Sequence, residues 1–324
     1  MRAAQRVLAF AAAVLLAAAG QAAAQAYPAR PVRIVVPFPP GGGVDLVARA
    51  VGERLAPRLG QPVVIDNKPG AGTTIGTEAA AKSAPDGHTL LVGPIGGQAI
   101  VGLMHARLGF DFARDFAAVA RIGYGTIALV VPAGSRAQSV KELVALAKAA
   151  PGRLTFASSG TGALIHLTGE LFRQAAGIDL THVPYKGTTQ ILPDLLDARV
   201  DMALDSLPAY LPHLRSGKLR ALAVASRARS SVLPELPTME EAGVPGVVSA
   251  TDYGLFAPAG TPREVVARLN REVNALLALA DVRAKLAQAG IEVSVGTPEA
   301  LQAEFADEVA KWAKVIRAAG LKAE

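Results

Sequence analysis

Two glycine-rich stretches carry the clearest chemical signal in this sequence. Residues 39–43 (Pro-Pro-Gly-Gly-Gly) follow an apolar run and precede a helical pattern, and residues 158–162 (Ser-Ser-Gly-Thr-Gly) repeat that arrangement. Glycine lets the backbone approach a ligand closely, and the free N–H groups at a helix start attract an anion. Either stretch alone is equally well explained as a tight-packing turn. The presence of two favours anion binding.

Polar side chains next to these stretches are the other candidates. Asp45 opens the helical pattern after the first stretch, His166 lies one turn into the helix after the second, and Asp205 ends a strand. Asp45 and Asp205 also fit a purely structural role as helix caps. The five histidines lack metal-ligand spacing and cysteine is absent, so we expect no metal and no cofactor. Residues 70–76 miss the dinucleotide pattern by one position and predict a structural turn.

The elements that must position these residues alternate between strand and helix. Such a β-α-β-α order predicts an α/β fold with mostly parallel sheets and helices on both faces. Capping patterns mark helix starts at Ser139, Thr238, Thr261 and Thr297. The predicted strands cover residues 32–38, 62–66, 89–93, 154–157, 181–184, 200–205 and 219–225. The predicted helices include residues 46–59, 140–149, 164–176 and 265–279.

Two similar segments suggest how the chain divides. Residues 127–134 and 253–260 are both apolar strands that end in Pro-Ala-Gly. We interpret them as paired crossover strands between two lobes, although chance turn chemistry within one larger sheet is the alternative. Lobe 1 would hold residues 27–126 plus 251–324, and lobe 2 residues 127–250. Ligands of open α/β sheets bind outside the carboxyl ends of the strands, so one glycine-rich loop per lobe would face a shared cleft.

The first residues predict export. Arg2 and Arg6, an apolar run over residues 7–19 and a small-residue site ending at Ala26 have the order of a secretory signal peptide, residues 1–26, cleaved after Ala26. Because there is no cysteine, no lipid anchor or disulfide is expected, and the mature protein should be soluble in the periplasm. The net charge of +6 is scattered and aromatic residues make up 5%, which argues against nucleic-acid binding.

With these residues in view, the chain resembles the substrate-binding proteins of tripartite tricarboxylate transporters, the Bug-type periplasmic receptors. The matching stretches occur in order across the mature chain and are specific as a set. They lie at residues 27–43, 67–72, 84–87, 158–160, 166–172, 183–187 and 257–262.

The resemblance implies a two-lobed periplasmic binding protein fold. It also implies a small organic carboxylate held by backbone N–H groups and waters, and delivery to a membrane complex of one large and one small integral subunit. We expect a monomer without catalytic residues. Carried over by position, the ligand-binding residues would be Phe38, Gly41, Gly42, Gly43, Val44, Asp45, Ile95, Gln98, Ser158, Ser159, Gly160, Thr161, His166 and Asp205.

Departures from the family pattern bear on the ligand. Val44, Ile95 with its neighbour Pro94, and Ile165 stand where the family often has a hydroxyl side chain. We therefore expect a ligand with fewer polar groups than citrate, such as an aromatic or alkyl mono- or dicarboxylate.

Two other functions stay open at this point. A periplasmic hydrolase would use Ser158 or Ser159 with His166 and Asp205 as a triad, although no nucleophile-elbow motif occurs. A sensory receptor would share the ligand site and differ only in its partner.

Overall fold

The computed structural model describes residues 27–105, 107–185 and 187–321 of the 324-residue chain, so the predicted signal peptide lies outside the described residues. The strands are β1 (Val32–Val36), β2 (Val63–Asn67), β3 (Thr89–Pro94), β4 (Phe116–Pro132), β5 (Thr155–Ser158), β6 (Thr181–Pro184), β7 (Met202–Ser206), β8 (Leu219–Val224), β9 (Ala250–Pro258) and β10 (Ile291–Val293). The helices are α1 (Gly43–Leu59), α2 (Thr74–Ala81), α3 (Ile95–Met104), α4 (Phe112–Asp115), α5 (Val140–Ala149), α6 (Leu164–Ala176), α7 (Thr188–Leu196), α8 (Leu207–Arg215), α9 (Arg263–Leu277), α10 (Ala280–Gln288) and α11 (Pro298–Ala318).

The strands form one mixed sheet in the order β2-β1-β3-β9-β4-β7-β5-β6, and β8 and β10 also pair with β4. β1 is parallel to β2 and β3, and β5 is parallel to β6 and β7. Among the described strands, antiparallel pairing occurs only where β4 or β9 takes part. The α/β class is thus confirmed. Strands joined by helical crossovers run parallel, and the two connecting strands add the antiparallel pairs.

β4 is a 17-residue strand shared by both lobes. Its residues 116–126 pair with β9, and residues 127–132 pair with β7 and β8, so the pairing partners of the strand change between Thr126 and Ile127. The segments 127–134 and 253–260 therefore do not pair with each other. The strand part of the first pairs with β7 and β8 in lobe 2, and that of the second pairs with β3 and β4 in lobe 1. The register is consistent with the predicted lobe boundaries at 126/127 and 250/251, which stay a prediction.

Apolar clusters cover both faces of each half of the sheet. In lobe 1, one cluster includes Leu55 and Leu269 and the other surrounds Trp312. In lobe 2, the clusters surround Phe156 and Tyr210. Leu167 of α6, a lobe 2 helix, is fully buried in the Trp312 cluster, so the lobes share part of their cores.

A second contact between lobes is polar. The Glu292 carboxylate on β10 accepts hydrogen bonds from the Ser230 hydroxyl and from the Ser231 N–H, each at 3.2 Å. It also accepts one from the Tyr124 hydroxyl on β4, at 3.1 Å. The lobes are therefore held together by side-chain contacts as well as by the two connecting strands.

The predicted helix starts have mixed outcomes. Ser139 and Thr297 cap α5 and α11, accepting from the N–H groups of Glu142 and Ala300 at 3.2 Å each. Thr238 makes the same kind of bond to Glu241 N–H at 3.1 Å, but in a series of turns and not in a helix. At Thr261 the predicted helix start is confirmed, since α9 begins at Arg263, but the predicted cap is wrong, because the Thr261 hydroxyl donates to the Pro258 carbonyl and Pro262 is the N-cap. No helix within the described ranges is long and apolar enough to cross a membrane.

Candidate functional site

Residues 37–43, called loop 1 here, connect β1 to α1, and the Asp45 side chain holds this loop. Asp45 is 2% exposed, and its carboxylate accepts hydrogen bonds from the Gly41 N–H (2.9 Å), Asn67 Nδ2 (2.9 Å) and Arg49 Nε (2.8 Å). Burial opposes ionisation, but the bonds from Arg49, Gly41 and Asn67 outweigh it and lower the pKa of Asp45. The carboxylate is therefore charged near neutral pH and fixes the turn at Gly41, whose φ is +87°.

The N–H groups at the start of α1, where loop 1 ends, can donate hydrogen bonds to a ligand. Leu46 N–H is bonded to the Gly42 carbonyl, as in a regular first turn, and no side chain caps α1. The first N–H groups of a helix have no partner within the helix, and among the described residues those of Gly43, Val44 and Asp45 have no other hydrogen-bond acceptor. The Val44 side chain is buried in the lobe 1 core, so only its backbone is offered.

Tyr253 is a neighbour of loop 1 that sequence reasoning did not single out. A Cβ at Gly43 would lie 2.6 Å from Tyr253 Oη, and one at Gly125 would lie 3.1 Å from it. A side chain at Gly43 would therefore clash with the tyrosine hydroxyl, and one at Gly125 would crowd it. Phe38 packs partly buried against the same core, and its carbonyl accepts from Asn67 Nδ2 at 3.1 Å. Asn67 was visible only as part of a family motif.

Residues 158–163, called loop 2 here, connect β5 to α6 and are also held by side chains. The Ser158 hydroxyl accepts from the Gly160 N–H at 3.2 Å, and His166 Nδ1 accepts from the Gly162 N–H at 3.0 Å. No side chain caps α6. Within the described residues, Ser159 and Thr161 have no bonded N–H, so these amides are the free donors of the loop.

A pair of histidines lies behind loop 2. The rings of His166 and His182 stack with centroids 3.9 Å apart, and His182 Nε2 is 2.6 Å from Ser158 Oγ. Burial lowers the pKa of His166 to about 4, aided by Arg173. Burial and then the neighbouring His166 lower the pKa of His182 to about 4, against Glu170. Both rings are neutral near pH 7, and because Nδ1 of His166 is an acceptor, its proton is on Nε2.

Ile95 and Gln98 begin α3 at the carboxyl end of β3. Ile95 is fully buried in the Trp312 cluster. Gln98 is 1% exposed, and its Nε2 donates to Thr77 Oγ1 at 3.1 Å. Both side chains are thus engaged within lobe 1. Their assignment as ligand contacts stays a prediction.

Asp205 lies at the end of β7 and is also engaged locally. Its carboxylate accepts from the Ser206 N–H at 2.6 Å and from the Tyr210 hydroxyl at 3.0 Å. Burial raises the pKa of Asp205, and the bonds from Ser206, Thr188 and Tyr210 partly counter that rise. Ser206 and not Asp205 is the N-cap of α8, and no side-chain bond caps this helix, so Asp205 has a local structural role but not the capping role raised from the sequence.

The residues of the hydrolase alternative do not form a triad in this arrangement. The histidine bonded to Ser158 is His182, and His166 uses its Nδ1 to hold Gly162. Asp205 is bonded to Ser206 and Tyr210 and to neither histidine. A triad needs the carboxylate to orient the base that contacts the serine.

The strand register brings the two loops toward one place. Val35 of β1 aligns through β3 and β9 with Ala118 of β4, so loop 1 extends along β4 toward Thr126. Ala157 of β5 aligns through β7 with Val130, so loop 2 extends in the opposite direction, toward Ile127. The carboxyl ends of the parallel strands in both lobes therefore point at the crossover.

Loop 2 also approaches lobe 1 closely. A Cβ at Gly162 would lie 3.3 Å from Cε of Met104, the last residue of α3. Two α/β lobes joined by β4 and β9, with helix starts directed at the junction, define the class of periplasmic binding proteins.

Comparison with known proteins identifies the family within that class. The family model described as tripartite tricarboxylate transporter family receptor matches residues 47–321. Protein BugT of Bordetella pertussis is 40% identical over 95% of this chain and 96% of its own length. The chain belongs to the tripartite tricarboxylate transporter receptor family, as the sequence motifs predict.

Solved structures agree with this assignment. Rpa4515 of R. palustris, solved with adipate, is 38% identical with a TM-score of 0.83 over 92% of this chain and 100% of that one. MatC of Rhodopseudomonas palustris, solved with malate, is 35% identical with a TM-score of 0.77 over 90% of this chain and 100% of that one. The two-lobed fold expected from the sequence is thereby confirmed.

Proposed function

We propose that this chain is a periplasmic receptor that captures a small organic carboxylate between loop 1 and loop 2. The observation that carries the proposal is the register, which directs the uncapped starts of α1 and α6 at the junction of Thr126 and Ile127 from opposite sides. Helices α9 and α10 also lack side-chain caps. The convergence of two such starts, and not the missing cap alone, is what favours an anionic ligand.

The backbone N–H donors at the two helix starts can supply enough binding free energy for a carboxylate. A hydrogen bond to a charged group contributes about 1.5–3 kcal/mol, and a helix start adds about 0.3–1 kcal/mol. Among the described residues, the unpartnered N–H groups at the start of α1 and those of Ser159 and Thr161 in loop 2 supply at least two such bonds on each side. After the costs of desolvation and ordering, this is enough for the roughly −8 kcal/mol of a micromolar complex.

We propose an aromatic or alkyl mono- or dicarboxylate as the ligand. Val44, Ile95 and Ile165 are 6%, 0% and 7% exposed, so core packing by itself accounts for their apolar side chains. Support for a ligand of low polarity comes instead from Rpa4515, a relative that holds an alkyl dicarboxylate, adipate. The relative solved with malate keeps hydroxy acids in the panel of ligands to be tested.

The proposed partners follow from the family. As a receptor of this family, the chain would act as a monomer after removal of residues 1–26 and deliver its ligand to one large and one small membrane subunit. BugD, described as a periplasmic binding protein, supports the receptor role, and MatC, solved with malate, supports a carboxylate ligand.

Calorimetry on the mature protein, residues 27–324, tests the proposal. We expect micromolar binding of at least one acid among adipate, benzoate, malate and citrate, and weaker binding in Gly42→Ala. A Cβ at Gly42 has no protein atom closer than 4.0 Å, so the methyl group would affect the ligand and not the fold. The matched control is Gly102→Ala on α3, where nothing lies within 4 Å. Citrate as the tightest ligand would contradict the proposed class, and no binding of any acid would contradict the receptor function.

A further inference from the structure

His182 connects the two side chains that hold loop 2. Its ring stacks on His166 at 3.9 Å with an interplanar angle of 19°, and on Phe156 at 4.9 Å. Its Nε2 is bonded to Ser158 Oγ at 2.6 Å. No sequence pattern distinguishes this histidine from the others, because it lies on β6, 24 residues from Ser158.

The loop depends on both of those side chains. Gly160 and Gly162 have φ values of +134° and +76°, conformations that glycine adopts readily and other residues do not. Ser158 accepts from the first amide and His166 from the second. The amide of Thr161 lies between these two fixed points in the chain, and that of Ser159 precedes them. Fixing Gly160 and Gly162 therefore fixes the direction of the free donors.

We propose that His182 is a positioning residue for anion binding, which holds loop 2 through its hydrogen bond to Ser158 and its stack on His166. The inference deepens the proposed function and rests on it for the identity of the bound group. The ligand itself would contact loop 2 and not His182.

The surroundings of His182 keep its ring suited to this role. The groups that face it are Ser158, Phe156 and His166, with Glu170 as the charged neighbour. Glu170 is in turn paired with Arg173 at 2.8 Å. A neutral ring can accept or donate the bond to Ser158 and can stack closely on a second neutral ring, whereas two charged rings at this separation would repel each other.

Amide hydrogen exchange in the ligand-free protein separates the two contacts. His182→Phe keeps an aromatic ring over His166 but removes the bond to Ser158, so we expect the Gly160 amide to exchange at least about tenfold faster and the Gly162 amide to change less. His182→Ala removes both contacts, and both amides should exchange faster. His213→Phe is the control, because His213 is a half-buried lobe 2 histidine with no side-chain bond or ring contact within the described ranges. Unchanged exchange in His182→Ala would overturn the inference.

Calorimetry with adipate and malate links the loop to binding. We expect about tenfold weaker binding in His182→Phe with little change in melting temperature. In a Ser158→Ala background the same substitution should cost no further affinity, since the bond is already absent. Faster exchange without weaker binding would overturn the role in binding. If the parent protein binds neither acid nor any other in the panel, the proposed function fails, while the exchange result still decides whether His182 holds the loop.

Discussion

Replacing Asp45 by asparagine is a direct test of how loop 1 is built. The substitution keeps the shape of the side chain but removes its charge and one acceptor oxygen. The carboxylate now serves three donors: the Gly41 N–H, Asn67 Nδ2 and Arg49 Nε. An asparagine amide must direct its NH2 group at one of these donors, so at least one bond becomes a donor–donor contact.

The magnitude follows from the burial of each partner. Arg49 is 50% exposed, so solvent screens its ion pair with Asp45 and this bond contributes little to stability. The bonds from Gly41 and Asn67 to a buried charged group contribute about 1.5–3 kcal/mol each. Losing one bond and weakening the others should lower the free energy of unfolding by about 2–4 kcal/mol. Carboxylate binding should also weaken, because the side chain that fixes the turn at Gly41 is held by fewer hydrogen bonds.

Urea unfolding followed by circular dichroism measures this change. The control is Asp281→Asn, which removes a surface ion pair to Arg54 from a side chain that is 55% exposed and should cost at most about 1 kcal/mol. The pKa of Asp45 is lowered in the folded state, so its stabilisation is present above about pH 3.9 and is lost as the pH falls through the folded pKa. The difference between parent and variant should therefore shrink below pH 4. Equal stability of the two variants at pH 7 would refute the role assigned to Asp45.

Two further predictions concern Gly43 and the histidine pair. Gly43→Ala should lower stability by about 1–3 kcal/mol and weaken ligand binding, since its Cβ would lie 2.6 Å from Tyr253 Oη, and adding Tyr253→Phe should restore much of both. Thermal unfolding and calorimetry check this, and a double variant no better than the single one would contradict the clash. The folded pKa values of His166 and His182, about 4, lie below the unfolded value of about 6.5, so the unfolded chain binds protons first and stability should fall between pH 6.5 and pH 4. Urea midpoints measured across this range check the slope, which His182→Phe should reduce; a flat profile in the parent would show that the rings are not buried as described.

Much of the fold could be predicted from the sequence because the parallel strands are short apolar runs between helical patterns. Residues 116–126 of β4 were missed. Glycines at 123 and 125 weaken the strand pattern, and the register shifts against β9 near Ala118 and Arg121 interrupt its alternation. β10 was missed because three residues carry too little pattern. The capping pattern at Thr261 failed because the N-cap lies one residue later, at Pro262, and the threonine hydroxyl donates to the Pro258 carbonyl instead of accepting from the helix.

The positions of the two loops could be predicted from the sequence, but the side-chain contacts that hold them could not. Glycine patterns indicate where the backbone turns at positive φ, and both loops were found on that basis. The side chains that fix them come from distant elements. Asn67 is 22 residues from Asp45, and His182 is 24 residues from Ser158. Such pairings depend on which strands are neighbours in the sheet, and a single sequence does not give that order.

Because β4 is one continuous strand in both lobes, its residue count sets how the side chains of one lobe are aligned with those of the other. Its side chains alternate between faces, so one extra residue between Thr126 and Ile127 would turn every later side chain of the strand over and exchange the apolar sets of Ile127 and Ala128. The orientation of one lobe relative to the other thus depends on the residue register of a hydrogen-bonded strand and not on a flexible linker. A chimera that exchanges lobes between relatives would have to transfer this strand whole or match its count residue for residue.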